Sequence, residues 1–191
     1  MKKHITVIQG HPDSKKTHFG HALASAYIKG ARSNGHDVRL IEVADLNFPL
    51  IRSAEEYERC EPPESIKLAQ ATINWADHLV LFFPLWMGNM PASFKAFLEQ
   101  IFRNGFAFEV SDNKFPKKLL KGKSAHVVVT MGMPAFIYRW YFGAHSVKAL
   151  IRNILSFCGI KPITTSLIGM VDSKNPDGRK KWLAKLGKGD I

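Results

Sequence analysis

Residues 78–91, HLVLFFPLWMGNMP, decide the fold prediction for this chain. Residues 78–83 are apolar on both faces, which is typical of a central strand in a sheet that is covered on both sides. Pro91 stands where a helix can begin, because the first helical turn does not need the amide hydrogen that proline lacks. One face of the helix that follows is apolar and carries Phe94, Phe97, Leu98, Ile101 and Phe102. A buried strand followed by an amphipathic helix is the repeating unit of an α/β fold.

The same alternation continues on both sides of this unit. Further strand patterns occupy residues 4–9, 37–43, 125–130 and part of 163–171. Helical patterns lie at residues 17–34, 64–75 and 146–158. Strands that alternate with helices form a parallel sheet with right-handed crossovers. We therefore predict the α/β class, with a three-layer, doubly wound parallel sheet of about five strands in the flavodoxin-like order 2-1-3-4-5.

Length and composition indicate one folded domain. The chain has 191 residues, of which 46% are hydrophobic and 23% are charged, and these values exclude a disordered chain, a collagen-like chain and a disulfide scaffold. No repeat or linker divides it, so we expect a single domain over residues 1–191 with a basic polar tail from about residue 172. No apolar run could span a bilayer and no signal peptide is evident, so we expect a cytoplasmic protein without an integral membrane segment.

The charge of the chain is unusual. Lysine and arginine number 27 against 16 acidic residues, which gives a net charge of +11. Such a surface attracts nucleic acids, acidic lipids or phosphorylated cofactors. No nucleic-acid-binding motif accompanies the charge, so we expect no nucleic-acid partner. The two cysteines and eight histidines lack the spacing of metal ligands, so we expect no metal site.

The predicted sheet order selects three segments as the ligand site, because ligands in doubly wound folds bind at the carboxyl ends of the strands. Residues 10–20, GHPDSKKTHFG, join the first strand to the first helix. The free amides of that helix N-terminus, the Thr17 hydroxyl and the nearby lysines and histidines could hold a phosphate. A simple capping turn with Thr17 as N-cap is the alternative.

The other two segments follow the third and fourth main strands. Residues 84–91 place Trp86 and Met87 at a strand end, where they could bound a flat ring or simply plug the core. Residues 130–145 combine backbone amides with Tyr138 and His145. A Tyr–His pair can supply a proton to a developing oxyanion, or both side chains can merely pack against the next helix.

Three motifs together resemble one family. They are GHPDS…THF at residues 10–19, FFPLWMGNMPASFKAFLEQIF at residues 82–102, and TMGMP…Y…H at residues 130–145. In this order they are similar to the flavodoxin-like NAD(P)H:quinone oxidoreductase family, which includes DT-diaphorase and the bacterial NADPH quinone reductases. The resemblance extends from the first strand to about residue 160. It implies the flavodoxin-like fold and a bound flavin, either FAD or FMN.

The resemblance also implies roles for individual residues. The loop that holds the flavin phosphates matches His11, Thr17, His18 and Phe19. The segment against the isoalloxazine ring matches Pro84, Leu85, Trp86 and Met87. The backbone donors at the pyrimidine edge of the ring match Thr130, Met131 and Gly132. The catalytic pair of the family matches Tyr138 and His145. An aromatic residue at the wall of the substrate pocket matches Phe108. Family members often have Ser-Phe-Asn after the first loop, whereas this chain has His18-Phe19-Gly20.

The function that follows from the resemblance is NAD(P)H:quinone-type oxidoreduction. NAD(P)H is expected to reduce the bound flavin by two-electron hydride transfer, leave, and be replaced by a quinone or similar acceptor in a ping-pong cycle. The family also implies a homodimer, with residues 44–65 and the helix after Pro91 as candidate contacts. The alternative function is that of a flavin-binding regulatory subunit in peripheral contact with a potassium-efflux transporter.

Overall fold

The computed structural model describes residues 2–13, 15, 18–110, 115–173 and 176–191. Its strands are β1 (His4–Gln9), β2 (Asp37–Glu42), β3 (His78–Pro84), β4 (Phe108–Glu109), β5 (Lys117–Lys118), β6 (Ser124–Thr130) and β7 (Ile163–Ile168). Its helices are α1 (Phe19–Ser33), α2 (Ala54–Glu58), α3 (Glu64–Trp75), α4 (Ala92–Ile101), α5 (Ala135–Trp140), α6 (His145–Ala149), α7 (Ser156–Cys158) and α8 (Pro176–Leu186). A short 3-10 helix, Val43–Asp45, follows β2.

The main sheet confirms the predicted fold. Its five strands are parallel and run in the order β2-β1-β3-β6-β7, which is 2-1-3-4-5 when only the main strands are counted. The central strand β3 is buried from residue 78 to residue 83, as its two apolar faces predicted. The chain reverses its direction of travel across the sheet between β1 and β3. The carboxyl ends of these two strands therefore border the crevice where ligands bind in this fold.

The two faces of the sheet are covered by separate apolar clusters. Helices α3 and α4 and the 145–158 segment pack over one face, with Phe94, Phe97 and Leu150 fully buried. Helices α1 and α8 cover the other face, where Leu23 and Tyr27 contact the sheet. This arrangement is the three-layer architecture that the sequence predicted. A two-stranded antiparallel ribbon, β4–β5, was not predicted, because each of its strands is only two residues long.

The segment 145–158 is helical but not uniformly α-helical. Residues Leu150–Leu155 form a π-helical stretch between α6 and α7. The sequence predicted an uninterrupted α-helix here from the spacing of its apolar residues. A π-turn places residues five apart on one face, and Leu150 and Leu155 are both fully buried. Gly159 ends the segment in the left-handed conformation at φ +103°, as the predicted C-cap requires.

The basic C-terminal stretch is folded onto the domain. Helix α8 packs beside α1, with Leu186 buried and Trp182 and Leu183 partly buried. The backbones approach so closely that a side chain at Gly189 would lie 2.1 Å from the amide nitrogen of Ala31. This stretch therefore adds a layer to the domain and brings residues near 172–179 to the ligand edge of the sheet. None of the helices among the described residues has the length and apolar character that a membrane crossing requires.

Candidate active site

A cavity of ≈ 700 Å³ opens at the carboxyl ends of β1, β3 and β6. Its volume lies in the range of ordinary cofactor pockets. The sequence-predicted residues that line it are His11, His18, Phe19, Pro84, Leu85, Trp86, Thr130, Met131 and Gly132. Three segments that are far apart in the chain therefore meet where the strand order predicted a ligand site. Thr17, which the sequence placed in the phosphate loop, lies outside the described residues.

The loop after β1 is held close to the core by a glycine. A Cβ atom at Gly10 would lie 2.6 Å from the buried ring of Phe94, so only glycine fits there. The loop then turns sharply: the Asp13 amide donates to His11 Nδ1 at 3.1 Å, and the Lys15 amide donates to Asp13 Oδ1 at 3.0 Å. His18 is the N-cap residue of α1, and its side chain makes no capping hydrogen bond. Its imidazole lines the cavity, and its Nε2 lies 3.3 Å from Asp13 Oδ2.

Three imidazoles gather at this helix N-terminus. His11 and His18 stack with ring centroids 3.9 Å apart, and His21 lies 5.2 Å from His11 and 5.8 Å from His18. Burial, followed by the neighbouring His18 and His21, lowers the pKa of His11 to about 4. Burial and His18 also lower the pKa of His21. We call His11, His18 and His21 the histidine cluster.

The segment after β3 forms a tight turn. Trp86 and Asn89 exchange two backbone hydrogen bonds, of 2.8 and 2.9 Å, and Met87 and Gly88 at the turn both have positive φ. Trp86 is half exposed and lines the cavity, with its ring centroid 5.9 Å from that of His11 in an edge-to-face arrangement. Met87 is fully exposed and is not among the lining residues. The turn therefore presents one of the two predicted large side chains to the cavity.

The segment after β6 contributes backbone groups. The Met131 amide donates to the Ile168 carbonyl at 2.9 Å, so it is occupied by the sheet. The Gly132 amide has no acceptor within the described part of the chain. A Cβ atom at Gly132 would lie 2.8 Å from the Asp172 carboxylate, which also lines the cavity. Gly132 is therefore the available donor among the three residues that the sequence placed at this edge.

The C-terminal stretch supplies cavity residues that the sequence prediction missed. Arg179 of α8 donates to the Val171 carbonyl, and its guanidinium lies 5.5 Å from the centroid of the Phe19 ring. Val171, Asp172 and Arg179 all line the cavity. The sequence signal for them was weak, because Arg179 belongs to a run of lysines and arginines that is typical of a solvated face.

Tyr138 and His145 occupy different environments. Tyr138 is fully buried, and burial raises the pKa of its hydroxyl, against smaller opposite effects of the Val147 backbone and Ser146. His145 is exposed, and its ring lies over Gly143, where a Cβ atom would be 2.7 Å from Nε2. Neither residue lines the cavity directly. Their proposed pairing stays a prediction.

A hydrogen bond joins the last two segments of the site. Asn89 Oδ1 accepts from the Ser146 hydroxyl at 2.6 Å and from the Met90 amide at 2.8 Å. The turn at Trp86 and the start of α6, next to His145, are therefore mechanically linked. Sequence reasoning missed this pair, because neither residue type carries a motif. Phe108 lies elsewhere: its ring packs edge-on against Phe157 at 5.2 Å, and it lines a different cavity.

The comparisons with known proteins identify the fold family. The family model for the flavodoxin-like fold matches residues 3–188. A relative from Haemophilus influenzae, named as an uncharacterized NAD(P)H oxidoreductase, is 29% identical over 181 residues, which covers 93% of this chain and 89% of the relative. NAD(P)H dehydrogenase [quinone] 1 of Cavia porcellus is 25% identical and covers 90% of this chain and 70% of the relative.

Solved structures give the same fold. The NAD(P)H:quinone oxidoreductase of Methanothermobacter marburgensis superimposes with a TM-score of 0.79 at 21% identity, covering 98% of this chain and 96% of that one. The family model accounts for nearly the whole chain, and the strand order of the main sheet agrees with it. This chain belongs to the flavodoxin-like fold family.

Proposed function

We propose that this protein is a flavin-dependent NAD(P)H:quinone-type oxidoreductase. The observation that carries the proposal is the single cavity edge at which the residues of all three predicted segments meet. The relatives named above are NAD(P)H oxidoreductases and quinone dehydrogenases, and others are named FMN-dependent NADH:quinone oxidoreductases. Fold likeness alone is weaker support, because this fold carries several functions.

The cavity has the features that a flavin needs. Its volume of ≈ 700 Å³ fits a cofactor, and Trp86, Leu85 and Pro84 offer an apolar wall for a flat ring. The free Gly132 amide can donate to a ring carbonyl, and such a fixed dipole stabilises developing negative charge without reorganising. The N-terminus of α1 and the guanidinium of Arg179 can receive a phosphate.

A bound flavin supplies hydride transfer from a nicotinamide to an acceptor. For a quinone the balance is NAD(P)H, one proton and quinone giving NAD(P)⁺ and hydroquinone. The chain must therefore deliver a proton to the acceptor as the hydride arrives. Tyr138 keeps its proton because burial raises the pKa of its hydroxyl, and His145 is exposed to solvent. We assign proton delivery to this pair.

We further propose a homodimer that acts in the cytoplasm, where NAD(P)H is available as donor. Large apolar side chains on and after α5 are exposed, which is typical of an interaction surface. They are Phe136, Trp140, Tyr141 and Phe142. The loop at residues 44–65, which exposes Leu50, is a second candidate contact. The molar mass in solution from light scattering tests this proposal, and a monomer of 21.5 kDa would contradict it.

The regulatory-subunit alternative is not favoured. The relatives reported above carry reductase or dehydrogenase names, and none of those names gives a transporter. The basic surface alone does not distinguish a transporter from the phosphorylated cofactors of an enzyme.

Initial-velocity kinetics test the proposed function. The protein is freed of flavin, reconstituted with FMN or FAD, and assayed for NADH and NADPH oxidation with a quinone. We expect oxidation to require both flavin and quinone, and double-reciprocal lines to be parallel, as a ping-pong cycle demands. No turnover with either flavin and either nicotinamide would contradict the proposal.

A further inference from the structure

Among the described charged side chains that line the cavity, carboxylates outnumber cations. The charged side chains that line it, among the described residues, are the carboxylates of Asp13 and Asp172 and the guanidinium of Arg179. Arg179 already donates to the Val171 carbonyl, and Lys15, on the same loop as Asp13, is exposed. If the proposed function is right, a phosphate that carries close to two negative charges must enter this cavity. A proton taken up by a neighbouring imidazole would add positive charge to that of Arg179 at the moment of binding.

The histidine cluster is placed to supply it. His11 and His18 line the cavity at the N-terminus of α1, and His21 packs behind them. Both ring nitrogens of His21 are buried and have no hydrogen-bond partner among the described residues. His18 Nε2 lies 3.3 Å from Asp13 Oδ2, so its imidazolium form has a carboxylate beside it. Nothing in the ordinary packing of a helix start requires three imidazoles within 6 Å.

Without a ligand, His11 and His21 resist protonation. Burial lowers the pKa of both, and the neighbouring imidazoles lower it further. A bound phosphate favours the protonated form of these imidazoles, because it places an anion within reach of His11 and His18. The free amides at the N-terminus of α1 also attract the phosphate.

We infer that the histidine cluster is a proton-coupled subsite for the flavin phosphate, in which phosphate binding draws at least one proton from solvent onto His11, His18 or His21. The inference rests on the proposed function and adds to it a role for His18 and His21. The consequence is a flavin affinity that rises as the pH falls, with the phosphate as the part of the ligand responsible.

Calorimetry on the flavin-free wild-type protein tests the inference directly. FMN is titrated near pH 7.5 in two buffers of different ionisation enthalpy, and the difference gives the number of protons taken up. Riboflavin, which has the same ring but no phosphate, is the matched ligand. We expect uptake of about one proton with FMN and none with riboflavin. FMN binding without proton uptake would overturn the inference.

Fluorescence titrations between about pH 7 and pH 8.5 provide the second readout. The free phosphate, with its second pKa near 6, stays mostly doubly ionised in this window. We expect FMN to bind about tenfold more tightly at the lower pH, since one coupled proton changes the affinity by up to tenfold for each pH unit. Riboflavin affinity should change little. Equal pH dependence for both ligands would contradict a phosphate-linked proton.

The double variant His18→Ser with His21→Phe tests whether these two histidines are responsible for the proton uptake. It should reduce the FMN pH dependence to less than threefold, whereas His36→Gln, at the opposite end of the sheet, should keep the wild-type value. An unchanged pH dependence in the double variant would overturn the assignment. Failure of the wild-type protein to bind FMN, FAD or riboflavin at any pH would overturn the proposed function itself. Flavin binding without pH dependence would overturn only the proton coupling.

Discussion

The two ends of the sheet are both rich in histidine and basic residues, yet they use them differently. At the amino end, Lys123 Nζ donates to the Asn74 and Ala76 carbonyls, and Arg39 lies 3.9 Å above the ring centroid of Trp75. His4 stacks on Trp75 and faces Asp37 and Asp77. These polar groups are occupied by the fold.

The carboxyl end leaves comparable groups available. Both nitrogens of His21 are buried without a partner, the Gly132 amide has no acceptor within the described residues, and Trp86 is half exposed. Buried polar groups are normally paired, because leaving them unpaired costs free energy. Unpaired buried groups also occur at the amino end, where His78 Nε2 is one, so the difference is one of access: the unpaired groups at the carboxyl end lie beside a cavity where a ligand can satisfy them.

The largest effect is expected for Tyr138→Phe combined with His145→Ala. Flavin should remain bound, and the rate of flavin reduction by NAD(P)H, of reoxidation by quinone, or of both should fall about 100-fold, because the proton donor is lost. Stopped-flow absorbance measures both half-reactions separately. Tyr27→Phe is the matched control, because Tyr27 is also a buried tyrosine and lies on α1. It should leave both rates unchanged. Unchanged half-reactions in the double variant would show that the pair has no role.

A crossed pair of tryptophan variants compares the two ends directly. Trp86→Ala should weaken flavin binding about 30-fold, equivalent to about 2 kcal/mol, and leave the free energy of unfolding almost unchanged. Trp75→Ala should do the opposite and cost about 2–3 kcal/mol of stability, because the ring is half-buried between His4 and Arg39. Flavin titration and urea unfolding measure the two quantities. Similar effects of both variants on both quantities would remove the distinction between the ends.

Lowering the pH should reduce the free energy of unfolding through His78, which lies at the amino end of the sheet. Burial, followed by His126, Lys3 and His36, lowers the pKa of His78 to about 4. The unfolded chain therefore binds a proton below about pH 6.5 that the folded protein does not accept until near pH 4, so stability falls as the pH drops through this window. The loss should reach about 2 kcal/mol near pH 5.

The variant His78→Gln isolates this contribution. Urea unfolding from about pH 7 to pH 5 should show a shallower loss of stability than in the wild type. His145→Gln, at an exposed histidine that does not influence the pKa of His78, is the control and should keep the wild-type slope. Equal slopes for wild type and His78→Gln would show that His78 is not the titrating group.

The smallest effect concerns Met87. Its φ of +49° is a left-handed conformation that a side chain disfavours by about 1 kcal/mol. Met87→Gly should therefore raise the free energy of unfolding by up to about 1 kcal/mol. Flavin affinity should change less than twofold, because the side chain is fully exposed and does not line the cavity. A large loss of flavin affinity would mean that Met87 contacts the ring, as the family resemblance implied.

The sequence predicted the sheet well because each main strand carries its own burial signal. The apolar run at 78–83 and the alternation at 37–43 placed β3 at the centre and β2 at the edge, and the structure confirms both positions. The ribbon β4–β5 could not be predicted, since two-residue strands have no periodicity. The π-helical stretch at 150–155 was missed because its apolar spacing also fits an α-helix.

The site was predicted where residues follow a strand directly. His11, Trp86 and Gly132 all come within a few residues of a strand end, and all three line the cavity. Asp172 and Arg179 were missed because they reach the cavity through the packing of α8 on α1, which depends on tertiary contacts that no local pattern encodes. The placement of Tyr138 in the core had the same origin, since α5 turns that side chain inward.

The most direct test of the account is an absorbance spectrum of the flavin-loaded protein without oxygen. NADPH or NADH should bleach the flavin band, and a quinone added afterwards should restore it within the same sample. After gel filtration removes free flavin, the Trp86→Ala variant should retain less of the band than the wild type, whereas Trp75→Ala should retain as much. A wild-type protein that binds neither FMN nor FAD, or whose bound flavin neither nicotinamide reduces, would contradict the account.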